Sequence, residues 1–299
     1  MSERLVRIEG PFDFRASLSS LNKSGLMPPV ARWVDDAFHK ATSTPEGPAT
    51  LALSAHPEGV HAQAWGPGAD WALAHAPAWV GAEDRAEGFE PRHPVLIEAH
   101  RRNPGLRLGH TKRVFDSLLF VILGQKVTTK GAMESRKQLF RTYGEPAPGP
   151  AGLRLPPTPE VLKTVAYFDL HPMNIERKRA TILLHAARVA RRLEETVTMP
   201  LEDARARLMA VRGIGPWTVG LVGGAALGDP DAVAVGDYHL KNTVAYALAG
   251  EERATDERMM ELLEPYAGHK RRVVQLIART GIKAPRYGPR LAVNDIRGR

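Results

Sequence analysis

No cysteine occurs among the 299 residues, which excludes disulfides, thiolate zinc sites and cysteine-ligated iron–sulfur clusters. Long apolar runs are missing as well. No stretch of about eighteen apolar residues is present to span a bilayer, and the opening residues, MSERLVRIEG, lack the apolar core of a secretory signal. The expected setting is therefore cytoplasmic, with no membrane partner. No internal repeat is visible. Acidic residues are the minority charge, 33 Asp and Glu against 41 Lys and Arg, for a net charge of +8. A basic balance suits a polyanion such as nucleic acid, but it also serves plain solubility, so it decides nothing without a motif beside it. The length has room for two domains and a sizeable core.

The pattern along the chain divides near residue 92. In 1–92, alternating runs such as Thr50-Leu51-Ala52-Leu53-Ser54 and Val60-His61-Ala62-Gln63-Ala64-Trp65, bounded by Pro or Gly, predict antiparallel strands. Trp33, Trp65, Trp71 and Trp79 fall in this strand-rich part, where scattered tryptophans predict core packing. In 93–299 the apolar residues recur at helical spacing, at 95–97, at 114–123 and from 162 onward, which predicts a wholly helical second domain. The fold class is thus α+β. Segment 145–159, EPAPGPAGLRLPPTP, is too rich in proline for a helix and predicts an extended crossing loop. Segment 173–195 predicts a basic amphipathic helix carrying Lys178, Arg179, Arg188, Arg191 and Arg192, a solvated face or a contact to DNA.

The most informative stretch is 201–248. Helical spacing over 201–211 is followed by Arg212-Gly213-Ile214-Gly215, which forces a tight turn, and by Pro216, which fits the first position of a new helix. Two glycines around one apolar residue let successive N–H groups converge on an anion at a helix N-terminus. A plain helix–helix corner would use the same residues. Further on, the run Ala232-Val233-Ala234-Val235 leads to Gly236-Asp237 and a helix predicted over 238–248. That places Asp237 at a helix start, where aspartate commonly serves as an N-cap. His239 and Lys241 follow it, but no second histidine or carboxylate stands at metal-ligand spacing, so His239 reads as structural.

Taken together, Gly213-Ile214-Gly215-Pro216-Trp217-Thr218 and Gly236-Asp237-Tyr238 about twenty residues later resemble the helix-hairpin-helix Gly/Pro-Asp DNA glycosylase superfamily. Within it the chain is most similar to the bacterial 3-methyladenine-DNA glycosylase II group. Ile122-Leu123-Gly124-Gln125 and Pro11-Phe12-Asp13-Phe14 are similar to motifs of that group too. The resemblance covers nearly the whole chain. It implies an N-terminal α/β domain like one half of the TATA-binding protein, then a two-part helical domain with the active site in the cleft between its parts.

By the same resemblance Asp237 is the catalytic residue, Trp217, Tyr238 and Leu221 line the base pocket, and Arg212, Gly213, Ile214, Gly215, Thr218, Gln125 and Lys126 meet DNA. One carboxylate suffices for this chemistry, because it stabilises the oxocarbenium character of the sugar while an alkylated, positively charged base leaves readily. Bifunctional relatives carry a Schiff-base lysine where this chain has Trp217, which implies a monofunctional enzyme. The chain departs from the group in two respects. Lys126 stands where relatives place an apolar wedge, either plugging the gap left by a flipped base or lying on the surface. Leu221 and Val273-Val274-Gln275-Leu276-Ile277 are aliphatic where broad-range enzymes have aromatic residues. The implied partner is double-stranded DNA bearing a damaged base, bound by a monomer. No cofactor and no side-chain metal site is implied, although the resemblance allows a monovalent cation at the hairpin carbonyls. The competing functions are a non-catalytic DNA-binding protein that keeps the hairpin, and a glycosylase for deaminated or oxidised bases.

Overall fold

The computed structural model describes residues 1–19, 21, 30–285 and 295–296. Five strands, β1 (Ser2–Arg7), β2 (Ala31–Val34), β3 (Ala37–Thr44), β4 (Gly47–His56) and β5 (Gly59–Trp65), form one antiparallel sheet in the order β1-β5-β4-β3-β2. The alternation read in β5 sends Val60, Ala62 and Ala64 inward, opposite Val6 of β1 and Leu53 and Leu51 of β4. The short helix α1 (Phe14–Leu18) is capped by Asp13, whose carboxylate accepts from Ala16 N at 2.8 Å. Helix α2 (Ala69–Val80) brings Ala72, Leu73, Ala76 and Trp79 to the same apolar core as the sheet. Trp79 is fully buried and its indole N–H donates to Thr111 O at 3.0 Å, as a buried tryptophan must find a partner. The other three are only half-buried: Trp33 packs against Phe38, Trp65 stacks on His39 and Trp71 stacks on His75.

In β4 every residue from Ala49 to Leu53 is buried, so both faces of the sheet are covered at that strand. The proline-rich segment supplies part of the second cover. It is pinned by a bridge between Pro146 and Arg154, and it packs Ala151, Leu153 and Leu155 with Ala41 of β3. Gly149 approaches the Trp65 indole so closely that a Cβ would lie 3.1 Å from the ring.

The remaining helices are α3 (Pro94–Arg102), α4 (Val114–Ile122), α5 (Thr129–Tyr143), α6 (Pro159–Lys163), α7 (Tyr167–Leu170), α8 (Arg177–Arg188), α9 (Ala190–Glu194), α10 (Leu201–Met209), α11 (Pro216–Val222), α12 (Leu240–Ala249), α13 (Asp256–Leu263) and α14 (Lys270–Thr280). They divide between two cores. Residues of α4, α5, α6, α8, α9 and α11 share the sheet's core, while α3, α12, α13 and α14 build a second cluster around Leu96, Val244, Met259, Leu263 and Val273. Helix α3 thus packs with the C-terminal helices rather than with those that follow it in sequence. The basic helix expected over 173–195 is two helices, because the backbone turns out of helical geometry at Val189 (φ −105°, ψ 12°). Arg179, grouped with its exposed basic face, is only 3% exposed and points inward.

Candidate active site

Helix α10, the turn 210–215 and helix α11 form the hairpin that the glycines suggested. Val211 and Ile214 are buried and anchor the turn, which closes with Ile214 N donating to Val211 O at 2.9 Å. Gly213 has φ +92°, a conformation L side chains rarely adopt, and a Cβ there would collide with the Ile182 side chain of α8. Gly215 is different: its backbone is extended at φ −116°, and nothing lies within 4 Å of where its Cβ would be. Pro216 opens α11, and Val219 N donates to Gly215 O at 3.0 Å.

The residues expected to meet DNA therefore separate. Arg212 and Gly213 are exposed, and Gly215 faces open space. The Ile214 side chain is buried, and Thr218 is 1% exposed, so neither side chain reaches outward. Gln125 commits its amide N–H groups to the hairpin itself, donating to Gly213 O at 3.1 Å and Thr218 Oγ1 at 3.0 Å. These three hold the turn in shape, and the outward surface is left to Arg212, Gly213 and Gly215. Gln125 reaches the turn from the end of α4.

Helix α11 also receives the loop that carries Asp237. Gly220 lies against the carbonyl of Val233 so closely that any Cβ would overlap it, which draws 232–235 onto the helix. Gly236, at φ +92°, then turns the chain, with its N–H donating to Asp256 Oδ1 at 3.0 Å. Asp237 Oδ1 accepts from His239 N at 2.8 Å and Leu240 N at 2.9 Å, the bonding pattern of an N-cap. Its Oδ2 accepts from Trp217 Nε1 at 3.2 Å. One carboxylate thus both caps a helix and faces the hairpin's tryptophan, where the two helical cores meet. The regular helix begins at Leu240 rather than at 238, because Tyr238 and His239 form a turn closed by those two carboxylate bonds. Tyr238 is 74% exposed, edge-on to His239, and Leu221 is half-buried one turn along α11 from Trp217. Trp217 and Asp237 are therefore in contact, whereas Tyr238 forms no enclosed wall around them.

Beside the hairpin, the turn between α4 and α5 puts exposed Lys126 at φ +53°, an uncommon conformation for a residue with a Cβ. A buried guanidinium, Arg179, and a half-buried one, Arg136, brace this turn. Arg136 Nη2 donates to Phe120 O at 2.5 Å, and Arg179 donates to Leu123 O at 3.0 Å and Asn174 O at 2.8 Å. Cations at the carbonyl end of a helix complement its dipole. Burial, with the charge of Arg179 nearby, pulls Arg136 down to about 10, which still leaves it charged at neutral pH.

No family model matches the chain. DNA-3-methyladenine glycosylase of Bacillus subtilis is 25% identical over 179 residues, 58% of this chain and 59% of that protein. DNA-3-methyladenine glycosylase 2 of Escherichia coli is 33% identical over 119 residues, 38% of this chain and 42% of that one. The chain thus spans about three-fifths or less of the length of these relatives. The solved 3-methyladenine DNA-glycosylase of Archaeoglobus fulgidus superposes with a TM-score of 0.77 at 18% identity, over 93% of this chain and 98% of that one. The chain is thus similar in sequence to DNA-3-methyladenine glycosylases over part of their length, and it shares the fold of the Archaeoglobus fulgidus enzyme. Among the described residues, no cluster of three or more His, Cys, Asp or Glu side chains is arranged to hold a metal, and no helix is long and apolar enough to cross a membrane.

Sequence reasoning passed over three of the residues that shape this glycosylase-fold site. Gly220, a glycine inside an apolar helix, was a readable sign of close backbone approach. Arg136 looked like any basic residue on an amphipathic helix. Asp256 follows Thr255, which caps α13, and nothing in that local pattern announces a bond to Gly236, twenty residues earlier.

Proposed function

We propose that the chain is a monofunctional DNA glycosylase that acts as a monomer on duplex DNA, flips out an alkylated base of the 3-methyladenine type and hydrolyses its glycosidic bond. The observation that carries this reading is the contact of Asp237 Oδ2 with Trp217 Nε1, which fixes a carboxylate at the edge of an indole ring at the seam of the two cores. The names of the relatives support the lesion class. A base alkylated on its ring carries positive charge and departs as a neutral molecule, so no strong general acid is needed. Cleavage leaves positive charge on the sugar, which the Asp237 carboxylate faces. A water then bonds through its oxygen to C1′ and gives its proton to the Asp237 carboxylate, which passes it to solvent; the product is an abasic site with the phosphodiester backbone intact. Trp217 stacks on the electron-poor base, Leu221 lines the same side of α11, and the exposed Tyr238 ring meets the base only when DNA is bound.

Arg212 and the open backbone at Gly213 and Gly215 receive a DNA phosphate. Val211 O and Gly213 O accept from Ile214 N and Gln125 Nε2, and each keeps a second lone pair with which the hairpin would hold a monovalent cation. Lys126, held out on its braced turn, fills the gap left by the flipped base with its apolar stem. Lys126→Gly is expected to keep the melting temperature at or above the parent value, because the left-handed backbone costs a residue with a Cβ about 1 kcal/mol. Its base release from a paired lesion should fall by about tenfold. Parental release by a folded Lys126→Gly protein would remove Lys126 from the flipping step.

With Trp217 in place of a nucleophilic lysine, borohydride is expected to trap no covalent complex on damaged DNA. A trapped adduct would overturn the monofunctional reading. The reading as a whole is tested with a panel of duplexes, each bearing one alkylated, deaminated or oxidised base, scored for free-base release. Release confined to alkylated bases supports it, and release from none supports a protein that binds without catalysis.

A further inference from the structure

We propose that Asp256 is a positioning residue for Asp237, and that it acts chiefly by holding the Lys241 ammonium away from the catalytic carboxylate. The inference rests on Asp237 being the group that does the chemistry. Both oxygens of Asp256, the first residue of α13, are committed to the segment that carries Asp237. Oδ1 accepts from Gly236 N at 3.0 Å, and Oδ2 meets Lys241 Nζ at 3.4 Å. Gly236 is the residue before Asp237 and sits at φ +92°, so the first of these bonds fixes the last backbone turn ahead of the carboxylate.

The second bond concerns charge. Lys241 lies four residues after Asp237, on the helix that Asp237 caps. Because Asp256 bonds both Gly236 N and Lys241 Nζ, the ammonium lies beside the backbone of the residue preceding Asp237, close enough for its charge to act on that carboxylate. In this structure Lys241 is turned to Asp256, in a pair whose side chains are only 29% and 23% exposed and therefore less screened than a surface pair. Arg258, the other cation at the start of α13, is tied to Glu251 and Glu261 and offers Asp256 no substitute. An ammonium drawn onto Asp237 would cancel the field that the carboxylate presents to the cationic sugar. Asp256 thus acts as a counter-charge for the helix, leaving Asp237 Oδ2 to Trp217 and the substrate.

The test uses Asp256→Asn, which keeps an oxygen for Gly236 N but loses the charge that holds Lys241. Single-turnover base release by D256N should fall by about 10- to 100-fold, with affinity for undamaged duplex and melting temperature close to parental. Lys241→Met alone should stay within about twofold of the parent, and the double variant D256N/K241M should recover to within about threefold. A double variant as slow as D256N would show that Asp256 matters only to local folding and overturn the proposal, as would parental release by D256N. Asp237→Asn is assayed alongside: parental release by that variant removes the premise, which is a separate outcome from loss of rescue.

Discussion

Asp237→Asn is expected to lower single-turnover base release by about a thousandfold or more while leaving lesion-duplex affinity within a few-fold. The structure makes this substitution unusually clean for a residue that also caps a helix. The Asn oxygen can still accept from His239 N and Leu240 N, and asparagine is among the best N-caps, so α12 keeps its start. What changes is the other branch, where an amide N–H₂ replaces the oxygen that accepts from Trp217 Nε1 and carries no charge toward the sugar. Asp237→Ala removes the cap as well and should cost about 1 kcal/mol of stability. A residue that is only a cap predicts the reverse ranking, with D237N near parental in every assay and D237A impaired through stability. Thermal melting recorded beside base release separates the two.

The hairpin glycines are expected to respond in opposite ways. Gly213→Ala must place a Cβ at φ +92° and into Ile182, so it combines a left-handed backbone penalty with overpacking and should destabilise the fold by about 2–4 kcal/mol. Gly215→Ala meets neither obstacle, since φ is −116° and the space is empty, and its stability should stay within about 0.5 kcal/mol of the parent. Its new methyl instead occupies the approach to the N–H groups at the start of α11, and affinity for damaged and undamaged duplexes should fall together by about tenfold while lesion preference persists. Calorimetry and a binding isotherm on each variant check both halves. A folded Gly215→Ala protein with unchanged affinity for both duplexes would show that phosphate does not bind there.

Much of this site was legible because its signals are local. The Gly213-Ile214-Gly215-Pro216 turn and the aspartate after an apolar run are both contiguous in sequence, and the alternation of 60–65 placed Val60, Ala62 and Ala64 on one face correctly. The errors arose where tertiary contact overrides local character. Arg179 reads as a surface residue on a basic helix, yet it is buried to brace the end of α4. Thr218 and Gln125 have the chemistry to bind DNA, and each is spent on the other across 93 residues of chain. The two hairpin glycines look alike in sequence, and only the fold distinguishes them, by the left-handed backbone of Gly213 and its packing against Ile182. The bonds of Asp256 cross between elements, and no periodicity encodes them.

Hydrolysis of a glycosidic bond by Asp237 with no lyase step is decided by product analysis on a single duplex. The purified chain is incubated with duplex DNA bearing one 3-methyladenine, the small-molecule fraction is identified by mass spectrometry, and the strand is sized before and after alkali. The expected result is free neutral 3-methyladenine, a full-length strand that breaks only on alkali treatment, and loss of both signals in Asp237→Asn. An intact lesion after prolonged incubation, a strand nicked without alkali, or the same products from the Asp237→Asn protein would contradict it.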